Sequence, residues 1–311
     1  MGKASRTKVE TSRRDKIAAQ QAAARRADQR RRILIASGSI LVVLVIVVVF
    51  VVVKLNSKPT SDTSSNGPTG SALASVISTT TSVPASTLNT VGAGSGILAK
   101  PETIKGTALT ENGKPEVLYM GAEYCPYCAA ERWAVIVALS RFGTFTGLAT
   151  IHSAKADGAG NDEPYPDTPT WTFLNAKYTS QYLTFTTVET YTNVPDSKNG
   201  YYYPLQTPTK AETALITKYD VPPLVPSSDD GAIPFIDFSN QYAIGGAGYN
   251  PQVLAGLSWA TIAADLHNAS STVAQSVLGT ANYITAAVCG ITHNAPASAC
   301  TSTVQSLESQ I

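Results

Sequence analysis

The sequence predicts an α/β domain carried beyond a membrane by one N-terminal transmembrane helix and a polar linker. Three observations lead there. Residues 107–270 alternate short β-rich runs with helical patterns, as expected for a sheet covered by helices. Ile33 to Val53 is a run of 21 residues without a charge, which at 1.5 Å per residue spans a hydrocarbon core of roughly 30 Å. Between them, residues 54–96 are rich in Ser, Thr, Pro, Gly and Asn, a composition that reads as a solvated tether.

Charge orients the anchor. Residues 1–32 hold eleven Lys and Arg against three acidic side chains, a net of +8, and the remainder of the chain carries a net of −7. Basic residues beside a span stay on the cytoplasmic side, so residues 1–32 read as a cytoplasmic tail and everything after Lys54 as extracytoplasmic. The apolar run is longer than a signal-peptide core, and Val51-Val52-Val53-Lys54 lacks the small residues of a cleavage site, so the anchor is expected to stay uncleaved. An Arg-rich tail next to a span serves topology, and no nucleic-acid partner is expected.

The chemistry concentrates in Gly121-Ala122-Glu123-Tyr124-Cys125-Pro126-Tyr127-Cys128. An apolar strand, Val117 to Met120, precedes it, and a helical pattern, Ala129 to Leu139, follows. Cys125 falls at the helix N-terminus, where free N–H groups and the positive end of the dipole stabilise a thiolate. Pro126 suits the first helical position, where its missing N–H has no partner to lose. The expectation is an exposed nucleophile at Cys125 and a resolving thiol one turn in at Cys128. A zinc site would need four ligands. Cys289 and Cys300 are eleven apart and far downstream, and His152, His267 and His293 form no ligand-spaced pair. No metal and no cofactor is therefore expected. All four cysteines lie beyond the span, in a compartment that permits disulfides.

The folded region is expected from Ile97, with residues 97–270 as the α/β domain and 271–311 as a helical C-terminal extension bearing a Cys pair. Thr107 to Thr110 and Pro115 to Met120 read as strands around a turn at Asn112-Gly113. Leu148 to His152 is expected to pair in parallel with the strand before the dithiol, through a crossover helix. Tyr182 to Tyr191 alternates as a strand, and Thr209 to Tyr219 reads as a helix capped by Thr207 or Thr209. Phe235 to Phe238 and Tyr242 to Gly245 form a strand-turn-strand unit. Asn250-Pro251 and Ser258-Trp259 are helix starts. Val273 to Ile291 is the last long helical pattern, interrupted at Gly279, and leads to Cys289 and then Cys300.

Glu116 to Leu139 resembles the strand and active-site helix of the thioredoxin superfamily, and Cys-Pro-Tyr-Cys is similar to the glutaredoxin dithiol and to that of exported DsbA-like proteins. Ile233-Pro234, ahead of a strand and hairpin, matches the place of that superfamily's cis-proline. The wider arrangement resembles a family of archaeal and actinobacterial membrane-anchored thioredoxin-like proteins whose domain has no assigned function. The resemblance implies a thioredoxin-like domain, with Ile233 and Pro234 beside the dithiol, where a substrate chain would bind. It also marks a departure: Tyr119 stands where thioredoxins carry a buried acid, and Glu123 and Glu131 are expected to face solvent.

The function expected is a membrane-anchored thiol–disulfide oxidoreductase. It would act on exported protein thiols or disulfides, with a membrane redox partner. The alternative is a non-catalytic binding module in which Cys125 and Cys128 form a staple. Two readings stand for Cys289 and Cys300, a structural disulfide or a second redox pair relaying to the first. Trp133 falls on the apolar helix face and reads as core. Tyr201-Tyr202-Tyr203 could line a peptide groove, and His152 reads as a structural residue at a strand end. A protease added outside intact cells should release the domain by cutting within residues 54–96, and protection of that segment would overturn the topology.

Overall fold

The computed structural model describes residues 67–156, 163–196, 198 and 200–311. The basic tail 1–32, the span 33–53 and linker residues 54–66 lie outside the described residues. Among those described, no helix is long and apolar enough to cross a membrane.

The architecture is mixed α/β. Strand β3 (Lys114–Gly121) is central. On one edge it pairs antiparallel with β11 (Phe235–Phe238), which pairs antiparallel with β12 (Tyr242–Gly245), and β12 with the short β1 (Glu102–Thr103). It forms a hairpin with β2 (Thr110–Glu111) on the side of β11, where Glu116 N donates to Leu109 O and Glu116 O accepts from Ser239 N, and on its other edge a parallel ladder with β8 (Thr184–Glu189). The β2–β3 turn, Asn112-Gly113, has φ of 51° and 73°, and the β11–β12 turn, Ser239-Asn240, has 55° at both residues. Two successive left-handed residues give a turn whose twist matches the strands it joins.

Alternation along the strands sorts the core. Val117, Tyr119, Ile236 and Phe238 point to one face and join the large core, while Leu118, Met120 and Phe235 join a smaller core on the other. That is the period-two pattern of a sheet covered on both sides. Helix α3 (Pro126–Leu139) and helix α6 (Thr272–Ile291) cover the first face. Helix α4 (Lys210–Tyr219) covers the second through Ile216 and Tyr219. It is started by Thr209, whose Oγ1 accepts from Glu212 N at 3.2 Å while Glu212 Oε2 accepts from Thr209 N at 2.6 Å, a reciprocal cap that satisfies two otherwise orphaned donors. Helix α5 (Trp259–Asp265) and α6 are capped by Ser258 and Ser271.

The fold departs from expectation in four places. The tether reading fails for its second half: helix α1 (Gly70–Thr81) and helix α2 (Ala85–Val91) occupy it. Leu73, Val76 and Ile77, then Leu88 and Val91, fall at helical spacings and pack into the main core. Asn282 Nδ2 donates to the carbonyls of Leu88 and Gly92, both at 2.8 Å. Ser and Thr dominate the composition, but a few correctly spaced apolar residues stabilise a helix when a partner surface waits for them. Residues 70–91 are thereby removed from the segment open to a protease.

The parallel partner of β3 is β8, not the Leu148–His152 run. That run, β5 (Ala149–His152), pairs antiparallel with β6 (Pro169–Thr172) in a separate ladder. Two further ladders stand apart from the main sheet. One joins β4 (Gly143–Thr146) to β7 (Lys177–Ser180), and the other joins β9 (Tyr191–Asp196) to β10 (Tyr201–Pro204).

Helix α6 runs through Gly279 without interruption. A Cβ there would lie 2.8 Å from the Ala93 carbonyl oxygen and 2.9 Å from Gly94 Cα, so glycine lets the 93–97 backbone press on the helix. Nor does residue 270 divide one core from another. Helix α6 packs on α3, and the described residues fall in one compact unit.

Cys289, near the end of α6, is joined to Cys300, just ahead of helix α7 (Ser302–Glu308). Both are buried. The bridge closes a loop with a sequence separation of 11; by chain entropy such a loop contributes about 3 kcal/mol. Replacing both cysteines with Ala should lower stability to denaturant by roughly that amount while thiol exchange at Cys125 stays measurable. Loss of exchange in a double variant with parental stability would favour the relay reading.

Candidate functional site

The turn between β3 and α3 is pinned from three directions. Thr190 N donates to Gly121 O at 2.8 Å, Glu123 N to Tyr191 O at 2.9 Å, and Ala154 N to Tyr124 O at 2.9 Å. This fixes Cys125 as the N-cap of α3, with Pro126 following at the helix start. The Cys128 N–H donates to Cys125 Sγ at 3.3 Å, and Cys125 Sγ–H donates to the Ile233 carbonyl at 3.7 Å. The Ile233–Pro234 peptide is cis. Cys125, Cys128, Ile233 and Pro234 thus converge in space, and both thiols are free.

The two thiols differ electrostatically. Burial pushes Cys125 up, but the thiol and N–H of Cys128 and the Arg132 guanidinium outweigh it, so Cys125 lies below the ordinary thiol value. Burial and the facing Cys125 push Cys128 well above that value. Cys125 is only 5 % exposed, so the expectation of an open nucleophile is corrected. It is reached through a cavity of about 540 Å³ walled by Met120, Tyr124, Tyr191, Tyr201 and Ile233. The β9–β10 hairpin overhangs this mouth. Tyr202 stacks on Tyr124 with centroids 4.2 Å apart, and Tyr201 meets Tyr124 edge-on at 5.4 Å, their hydroxyls hydrogen-bonded to each other. A second cavity of about 500 Å³ opens on the other side of Ile233, between Tyr127, Leu98 and Leu224.

Glu123 and Glu131 do not face solvent. Glu123 Oε1 accepts from Thr172 Oγ1 at 2.6 Å, and burial raises its pKa. Glu131 is fully buried, its Oε2 accepting from Gly248 N at 2.8 Å, and burial pushes it up to about 7. Helix α3 is covered on the side expected to be wet, because the segment after β12 folds over it: Tyr249 Oη donates to Ala130 O at 2.6 Å. Beneath the dithiol, Arg132 is fully buried. Its Nε and Nη2 donate to Glu189 Oε1 and Oε2 at 2.9 and 2.6 Å, and Nη2 also donates to Ala122 O at 2.8 Å. Tyr119 lies below, its ring 5.8 Å from the guanidinium carbon.

Trp133 is core, donating Nε1–H to Pro169 O at 3.0 Å. His152 packs edge-on against Trp259, with Nδ1 3.9 Å from Asp167 Oδ1. Among the described residues, no three His, Cys, Asp or Glu side chains are grouped to hold a metal ion. Sequence reasoning missed Arg132 and Glu189. A charge four residues after Cys128, inside an otherwise apolar helix, was the available signal for the first.

A family model described as "Domain of unknown function (DUF929)" matches residues 100–290. That span includes Cys125, Cys128, Ile233, Pro234 and Cys289, and stops short of Cys300. Nothing among curated proteins or solved structures matches the chain.

Glu131 yields a pH test. Its folded pKa, raised to about 7, sits above the roughly 4.3 of an unfolded chain. The uncharged carboxyl therefore favours the folded state, and its contribution is full below the unfolded value and lost as pH rises through 7. Urea unfolding of E131Q and the parent should diverge with pH. The variant should gain about 2–3 kcal/mol on the parent between pH 5 and pH 8, and a constant difference would overturn the assignment.

Proposed function

The chain belongs to the DUF929 family of domains of unknown function, and from that premise we propose that it is a membrane-anchored, extracytoplasmic thiol–disulfide oxidoreductase acting on exported proteins. One observation carries the reading. Cys125 Sγ caps α3, accepts the Cys128 N–H at 3.3 Å, and faces the Ile233 carbonyl at 3.7 Å beside a cis-proline, at the end of an open cavity. A strand leading into a dithiol helix, and a cis-proline ahead of the next antiparallel strand, are the features that the thioredoxin resemblance implies, and they support a thioredoxin-like fold here.

In the mechanism, Cys125 exchanges with a client sulfur. Attack by the Cys125 thiolate on a client disulfide forms a Cys125–client bond and expels one client thiolate; Cys128 then attacks Cys125 Sγ, closes the Cys125–Cys128 disulfide and expels the other. The reverse sequence oxidises the client. The asymmetry suits the two roles: the lowered Cys125 ionises more readily to attack or to leave, and the raised Cys128 holds its proton more tightly. Ile233, with its carbonyl toward Cys125, is the backbone edge on which a client chain would lie. The cytoplasmic N-terminus and the span at 33–53 hold this domain beside the membrane, where a redox partner would renew the dithiol or disulfide.

The rival reading, a binding module stapled by Cys125 and Cys128, is separated by reactivity. In the reduced protein near neutral pH, iodoacetamide should modify Cys125 well before Cys128. Cys128→Ser should accumulate mixed disulfides with exported proteins through Cys125, and Cys125→Ser should accumulate few. Equal, slow alkylation of both thiols, with nothing trapped by Cys128→Ser, would leave the staple as the surviving reading.

A further inference from the structure

The proposed dithiol chemistry leaves the direction of electron flow open, and the groups beneath the dithiol bear on it. Arg132 is one turn past Cys128 on α3, so the two share a helix face. Its guanidinium is fully buried and held on one side by both oxygens of Glu189. Glu189, the last residue of β8, is itself held by Phe173 N at 3.3 Å, and its own N–H donates to Gln206 Oε1 at 2.7 Å. On the other side, Arg132 Nη2 binds the Ala122 carbonyl, which also accepts the Cys125 N–H at 3.4 Å. One carbonyl thus ties the cation to the turn that carries the dithiol. The remaining nitrogen, Nη1, is buried without a hydrogen-bond partner. A buried donor left unpaired is costly unless some state of the protein uses it.

We propose that Arg132, fixed by Glu189, is a positioning residue that keeps positive charge beneath the dithiol, favours its reduced, thiolate-bearing form, and so poises the disulfide to oxidise client thiols. The guanidinium bears on both sulfurs, drawing each toward the thiolate. The same cation lies over the Tyr119 ring.

A client thiolate attacks Cys125 Sγ of the Cys125–Cys128 disulfide, a client–Cys125 bond forms, and the electron pair of the broken bond leaves on Cys128 Sγ, on the helix face that carries Arg132. A second client thiolate attacks the client sulfur and expels Cys125 as a thiolate, which the Cys128 N–H receives. The client loses two electrons and gains a disulfide. The pair gains those two electrons, and of the two protons shed by the client, one ends on Cys128 and the other passes to water. Stabilising the leaving thiolates stabilises the reduced pair, which makes the disulfide the stronger oxidant.

The test equilibrates the full chain with reduced and oxidised glutathione and measures the dithiol fraction after acid trapping, alongside the pH profile of Cys125 alkylation. R132Q/E189Q removes both charges at similar volume. It should shift the equilibrium toward the Cys125–Cys128 disulfide by about tenfold and move the alkylation midpoint up by about one pH unit. R132K, which keeps the charge, should retain the parental constant. E189Q removes the counter-charge alone and should shift the equilibrium the opposite way, toward the dithiol. A folded R132Q/E189Q with the parent's constant and pH profile would overturn the proposal. If that variant does not fold, E189Q decides, and an unchanged or reversed constant overturns it. A parent that does not exchange with glutathione at all would instead remove the oxidoreductase reading on which the proposal rests.

Discussion

Helix α3 is buried on every side, and much of the fold is the covering that this burial requires. Of its fourteen residues, only Tyr127 escapes the interior. An ionisable side chain on a helix so placed needs a partner, because an unpaired charge in the interior costs several kcal/mol. Glu131 therefore takes the Gly248 N–H from the loop after β12, and Arg132 takes Glu189 from the end of β8. These bonds reach from the dithiol helix to both flanks of the sheet. The charges inside α3 thus join elements that are distant in sequence.

The same constraint shapes the dithiol. Its turn is held by Thr190, Tyr191 and Ala154, none of them on the helix or on β3. Burial alone would raise both thiols. Cys125 escapes because the thiol and the N–H of Cys128, with Arg132, together outweigh its burial, whereas at Cys128 burial and the facing Cys125 outweigh Arg132 and the Ala122 backbone. The asymmetry is local and follows from the helix start. What can reach the Cys125 sulfur is set from elsewhere, by the tyrosines of the β9–β10 hairpin and by the loop carrying Ile233.

Away from the site, the termini of the described chain close the core around α6. Helices α1 and α2 add apolar side chains to the main core, with Asn282 holding the α2 carbonyls, and the Cys289–Cys300 bridge fastens the segment leading to α7. Arg141 Nη2 donates to the Ala299 carbonyl at 2.5 Å, linking the end of α3 to that bridge. One core therefore runs through regions that composition divides into linker, domain and extension.

The sequence by itself determined what local chemistry controls. The strand–turn–helix around Cys125 rests on an apolar run, a proline at N1 and helical periodicity. The caps at Thr209 and Ser258 rest on side chains that bond amides three residues on, and the β11–β12 turn needs two residues that tolerate positive φ. Such features depend on neighbours in the chain and are readable there. Only the tertiary structure decided the rest. The choice of β8 over β5 as the parallel neighbour of β3, the burial of Glu123 and Glu131, the pairing of Arg132 with Glu189, and the folding of 70–91 all depend on which surfaces meet. A carboxylate on a helix reads as solvated until another segment covers it, and a Ser- and Thr-rich stretch reads as tether until a hydrophobic face receives its few apolar side chains. Those contacts join residues tens to hundreds of positions apart, and no local pattern encodes them.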